Sequence, residues 1–164
     1  MKILQALKKI KHIDRKIKKQ ADRVAKYCSV ILEPGDAPPP YTEEDIRRML
    51  QSITDLLTDK CLIRAALHRT NVNTAVEFQG QKKSIDELLL LQNVFLPIYK
   101  NVLASMRRKE KQGAYRNYSK EAKVVLHYSP AERDKHIEEI ENVLEELNDI
   151  LDNANIETDV IGLK

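Results

Sequence analysis

The stretch Glu33-Pro34-Gly35-Asp36-Ala37-Pro38-Pro39-Pro40-Tyr41-Thr42-Glu43-Glu44-Asp45 decides how this chain is read. Its four prolines and one glycine prevent a helix from continuing through residues 33–40 and favour an extended, stiff connection. Directly afterwards, Thr42 offers a capping hydroxyl, and Glu43, Glu44 and Asp45 put three carboxylates on a first helical turn. There they satisfy free amides and complement the helix dipole. A helix therefore ends before the Pro-rich turn at 33–41, and a second begins at Thr42.

Toward the N-terminus, Ile3, Leu7, Ile10, Ile13, Ile17, Ala21, Val24 and Cys28 recur at steps of three or four, one apolar stripe on a helix of about eight turns. Toward the C-terminus, Ile46, Met49, Leu50, Ile53, Leu56, Leu57, Ile63 and Leu67 carry the second helix to about His68. Residues 1–70 thus read as a helical hairpin. Next, Ala75-Val76-Glu77-Phe78-Gln79 alternates and stops at Gly80, a short strand and turn. Ser84-Ile85-Asp86-Glu87 is a capping box that opens a helix through Leu88, Leu91, Phe95, Ile98, Val102 and Met106. Pro97 lies inside that helix, deprives the Asn93 carbonyl of its partner and predicts a bend.

Residues 107–123 lose the apolar period and form a basic loop around Gly113, and Val124 to Tyr128 reads as a second short strand. Ser129-Pro130-Ala131-Glu132 is a further capping box with proline at the first helical position. Behind it, Ile137, Ile140, Leu144, Leu147 and Leu151 repeat in three-four steps, the most coiled-coil-like segment present. Residues 84–152 are thus a second hairpin. Each hairpin ends in Asn-x-Asn, Asn71-Val72-Asn73 and Asn153-Ala154-Asn155, and then turns extended. With Ser84 and Ser129 these four asparagines are read as structural caps, since Asn tolerates left-handed backbone and bonds nearby carbonyls. The expected fold is mainly all-α: one helical domain over 1–164, with long amphipathic helices in antiparallel hairpins or a coiled-coil bundle and a small β-patch at one end.

Composition agrees with that class. Over 164 residues, 42% are hydrophobic and 32% charged, with no Trp, two Phe and four Gly, a balance that favours helices over sheets. No uninterrupted apolar run approaches the roughly 18–20 residues of a membrane span, so none is expected. Charges interrupt the N-terminal MKILQALKKIKHIDRK too often for a secretory signal. The expected location is the cytoplasm, or a phage particle assembled in the bacterial cytoplasm. Cys28 and Cys61, on separate helices without metal-ligand spacing, are read as buried thiols in a reducing compartment.

The net charge of +3 hides a strong asymmetry. Residues 1–29 carry ten Lys or Arg against Asp14 and Asp22, whereas residues 129–164 carry eleven Asp or Glu against Arg133, Lys135 and Lys164. The ends are therefore +8 and −8, and the first and last helices are expected to attract each other, within a chain or between copies.

At this point the chain resembles the septicolysin-like proteins, small bacterial and phage-borne helical proteins. The resemblance rests on the basic, striped first helix, on Arg69-Thr70-Asn71-Val72-Asn73-Thr74-Ala75-Val76 followed by a polar turn and Ser84-Ile85-Asp86-Glu87, and on the closing Leu151-Asp152-Asn153-Ala154-Asn155. The family's tail carries an Asn-Trp pair, and here Ile156 follows Asn155, which marks a divergent member. The resemblance implies a coiled-coil-rich fold that oligomerises and brings no catalytic residues with it. The family's cytolysin-like name implies a pore, but neither an insertable apolar helix nor strands of membrane length are visible.

Chemistry-bearing patterns are sparse. His12, His68, His127 and His136 lie on four segments without a second ligand pair, and no dinucleotide, phosphate-loop, nucleophile-elbow or zincin motif occurs. No cofactor or catalytic residue is expected, and the chain is read as a non-enzyme. The acids Glu138, Glu139, Glu141, Glu145, Glu146 and Asp149 lie off the apolar stripe and read as a solvated or partner-facing surface. Arg107, Arg108, Lys111, Tyr115, Arg116 and Tyr118 combine cations with aromatic rings, the composition of an anion or nucleic-acid contact. The first expectation is thus a structural or assembly protein, a component of a phage particle or similar multi-subunit structure. It would form homo-oligomers, and contact other structural proteins, through Ile3, Leu7, Ile10, Ile17, Val24, Ile137, Ile140, Leu144, Leu147 and Leu151. The alternative is a module that binds nucleic acid or an anionic surface through the basic first helix and the 107–123 loop.

Overall fold

The computed structural model describes residues 1–108, 112–113, 116–117 and 121–163, and the side chains of residues 112, 113, 116 and 117 are outside that description. The chain is mainly helical, with a small two-stranded antiparallel hairpin. It divides into two units, Met1–Thr74 with Ala154–Lys164, and Ala75–Asn153.

In the first unit, helix α1 (Ile3–Tyr27) packs against α2 (Glu43–Asn73). Their antiparallel sense follows from two cross-links: Lys60 pairs with Asp14, and Gln20 Nε2 donates to Ser52 Oγ at 3.1 Å, so advancing on one helix retreats on the other. Ile3, Ala6, Ile10 and Ile13 of α1 are buried, as are Ile63, Ala66, Leu67 and Thr70 of α2. Thr42 caps α2 as its sequence predicts. Its hydroxyl accepts from the Asp45 amide at 3.2 Å while the Asp45 carboxylate accepts from the Thr42 amide at 3.0 Å. These bonds from the Thr42 backbone and hydroxyl hold the Asp45 carboxyl below its ordinary pKa.

In the second unit, β1 (Ala75–Phe78) and β2 (Gln81–Ser84) pair with Ala75 opposite Ser84 and Phe78 opposite Gln81. Gln79 and Gly80 close the hairpin with φ of 50° and 73°, two successive positive values of the kind that match strand twist in a two-residue turn. Ser84 then caps α3 (Ile85–Leu90), its hydroxyl accepting from the Glu87 amide at 3.2 Å. A π-helical turn (Leu91–Phe95) joins α3 to α4 (Leu96–Ser105) without a break. Proline lacks an N–H, and the helix takes the wider π form in the turn just before Pro97. Helix α5 (Pro130–Glu157) runs antiparallel to α3 and α4. Gln92 bonds Asn148, Lys100 pairs with Glu141 at 2.6 Å, and Arg133 Nη1 donates to the Met106 carbonyl at 2.6 Å. Leu88, Leu103, Ile140 and Leu147 are buried.

Several expectations are corrected. Helix α2 runs on to Asn73 and is closed by Thr74, so Asn71 and Asn73 sit in its last turn; Asn73 Nδ2 donates back to the Arg69 carbonyl at 2.7 Å. Likewise Asn153 and Asn155 lie inside α5, and neither pair takes left-handed backbone. Helix α2 thus ends at its Asn-x-Asn, whereas α5 runs two residues past Asn155 to Glu157, with buried Ala154 continuing its packed stripe. The second short strand expected over Val124 to Tyr128 is not formed. Cys28 and Cys61 are free and exposed, the first just beyond the end of α1 and the second off the buried face of α2.

Candidate functional site

Self-association requires apolar surface that the chain does not cover itself. Among the described residues sixteen hydrophobic side chains are buried while nineteen large ones are exposed, and six of the exposed ones fall together on one helical segment. Leu90, Val94, Ile98 and Val102 follow one another in steps of four along α3, the π turn and α4, flanked by Phe95 and Tyr99. In a regular α-helix steps of four drift around the axis; the wider π turn takes up much of that drift and keeps the four on one line. The opposite side, with Ile85, Leu88 and Leu103 buried and Lys100 paired to Glu141, is the side that α5 covers. The whole segment Ile85–Ser105 is long and apolar enough, by length and composition, to cross a membrane. The expectation of no span rests on uninterrupted apolar length, and this helix reaches spanning length only with its polar residues counted.

The packing positions read from sequence divide accordingly. Ile3, Ile10, Ile140, Leu147 and Leu151 are buried within the chain; Ile17, Val24, Ile137 and Leu144 are half-buried; Leu7 is exposed. The most exposed apolar line, on α3 and α4, was absent from that set, because its period is that of any core helix and nothing in sequence says which face α5 covers. No family model, curated protein or solved structure matches the chain.

A second surface lies on the outer side of α1. Arg15, Lys18, Lys19, Asp22, Arg23, Lys26 and Tyr27 line an open groove of about 530 Å³, and Tyr41 closes it from the segment that precedes α2. The Tyr27 and Tyr41 rings lie 4.7 Å apart, tilted by 47°, and Lys26 Nζ sits 5.1 Å from the Tyr27 centroid. Among the described residues no ion pair neutralises Arg15, Lys18, Lys19 or Arg23. Sequence reasoning found the cations of α1 but missed the tyrosines, since Tyr41 is fourteen residues from Tyr27 and only the Pro-rich connection brings it back.

Of the basic loop, Arg107 and Arg108 are exposed and Arg116 lies in β4 (Arg116–Asn117), which pairs with β3 (Gln112–Gly113). Lys111, Tyr115 and Tyr118 fall outside the described residues. Among those described, no group of three His, Cys, Asp or Glu could hold a metal.

Among the described residues the oppositely charged chain segments meet at Asp159. Lys2 Nζ donates to Asp159 Oδ2 at 2.8 Å and to the Glu157 carbonyl at 2.7 Å, while the Ile3 amide donates to the Thr158 carbonyl at 3.0 Å and the Val160 amide to the Met1 carbonyl at 2.8 Å. The Lys2 ammonium bond is the main reason the Asp159 carboxyl is held below its ordinary range. The Ile161 amide then donates to Thr70 Oγ1 at 2.9 Å, tying the same tail to α2.

Proposed function

We propose that this protein is a non-enzymatic assembly subunit that self-associates through the exposed apolar line of α3 and α4, as part of a larger multi-subunit particle. The single observation that carries the reading is that line, Leu90, Val94, Ile98 and Val102 with Phe95 and Tyr99 beside it, uncovered on a helix whose other side is already packed. Six large hydrophobic side chains in one patch favour burial against a partner. The occupant is a second copy, because one chain carries both signs of charge needed to orient the contact: the exposed Lys8, Lys9 and Lys11 on the first half of α1 and the exposed acids Glu138, Glu145 and Asp149 of α5. A bilayer is the poorer occupant, since Lys100 lies well inside the helix and its Glu141 partner would have to be desolvated with it.

Light scattering behind size-exclusion chromatography, at low and at high salt, tests the proposal. An oligomer that persists at both salts supports it. A monomer at both overturns it, as does partition of the chain into neutral vesicles, and an oligomer that falls apart in salt would transfer the contact from the apolar line to the opposed charges.

A further inference from the structure

We propose that the groove on the second half of α1 binds single-stranded nucleic acid, a ligand independent of the assembly contact on α3 and α4. Arg15, Lys18, Lys19 and Arg23 lie on one side of the helix within nine residues, a rise of about 12 Å, the scale of a short run of phosphates. At the end of this row stand Tyr27 and Tyr41, both half-buried, with rings 4.7 Å apart. A row of cations tracks a backbone and aromatic faces stack on its bases, the pairing by which strands are held without a sequence code.

Three competing ligands fit less well. An amphipathic helix that lies on an anionic bilayer needs an apolar face to insert, and the apolar face of α1, Ile3, Ala6, Ile10 and Ile13, is buried within the chain. An acidic helix from another copy would satisfy the cations but has no planar group to place against two tyrosine rings. Duplex DNA presents its bases edge-on in the grooves and would leave the tyrosines idle.

Fluorescence anisotropy of a labelled oligothymidylate of about 15 nucleotides, titrated with the full chain across a range of salt, tests this. Binding should weaken steeply with salt, and Lys18→Gln with Lys19→Gln should flatten the log–log slope by about 1.4, two phosphate contacts at about 0.7 each. Tyr41→Ala should weaken binding about fivefold or more, while Tyr41→Phe, which keeps the ring, should stay within about twofold of the parent. Because the chain has no Trp, quenching of tyrosine emission on binding gives a reading on the unaltered protein. Absence of binding at low salt overturns the proposal. So does equal affinity for heparin, polyglutamate or anionic vesicles with no response to Tyr41→Ala, which would mark a general anion surface.

Discussion

Thr70 and Ile161 are joined by a hydrogen bond of 2.9 Å, the Ile161 amide donating to the Thr70 hydroxyl, which itself donates to the Ala66 carbonyl at 2.8 Å. Thr70 is fully buried and is the one buried polar side chain among the described residues. Thr70→Val keeps the shape and removes both bonds, leaving the Ile161 amide without its partner. It should cost about 1–3 kcal/mol in urea unfolding, and Thr70→Ser should recover most of that.

The Lys2–Asp159 pair sets a pH dependence. The Asp159 carboxyl has its pKa lowered in the folded chain, first by the Lys2 hydrogen bond, so its contribution is present in full above the ordinary value of 3.8 and is lost as the pH falls below that through the folded-state value. Asp159→Asn should lower the melting temperature at pH 7 and make no difference near pH 2. Both residues are exposed enough for the effect at pH 7 to be small and to shrink in high salt.

Leu147 and Phe95 separate folding from association. Leu147 is completely buried on α5, so Leu147→Ala should cost about 2–5 kcal/mol in chemical unfolding whatever the protein concentration. Phe95 is exposed on the apolar line, so Phe95→Ser with Ile98→Ser should leave the helical circular dichroism intact and lower the mass seen by light scattering.

Gly80 takes φ of 73° in the hairpin turn, and its neighbour Gln79 has φ of 50° without being glycine. Gly80→Val should destabilise the second unit by about 1–2 kcal/mol through backbone strain alone, because a Cβ there would meet no other atom. Gln79→Asn, a residue that tolerates this backbone region, should be stabilising. Amide hydrogen exchange in β1 and β2 would register both.

Helices, hairpin and capping boxes were legible because their signals are local: apolar spacing at Ile3 to Val24, alternation at Ala75 to Gln79, and Ser or Thr three residues before an acid at Thr42 and Ser84. The end of α2 at Asn73 was legible in its Asn-x-Asn, but α5 runs on to Glu157, since the burial of Ala154 comes from packing that no local cap signal records. The candidate surfaces were half legible. Charge on α1 is written in its composition, but the meeting of Tyr27 with Tyr41 depends on the path of residues 28–40, and the exposure of the Leu90–Val102 line depends on which face α5 covers.

The π turn at Leu91–Phe95 can be viewed as a single surplus residue stored in an otherwise continuous helix. Deleting Asn93 would rewind it as an ordinary α-helix and, because the widened turn had absorbed that residue, leave the helix on either side in nearly its present phase. Lys100 and Leu103 would keep α5, and Leu90 and Val94 would stay in line with Ile98 and Val102. The surplus residue is thus a length the segment can lose without changing which face it turns inward and which it shows its neighbours.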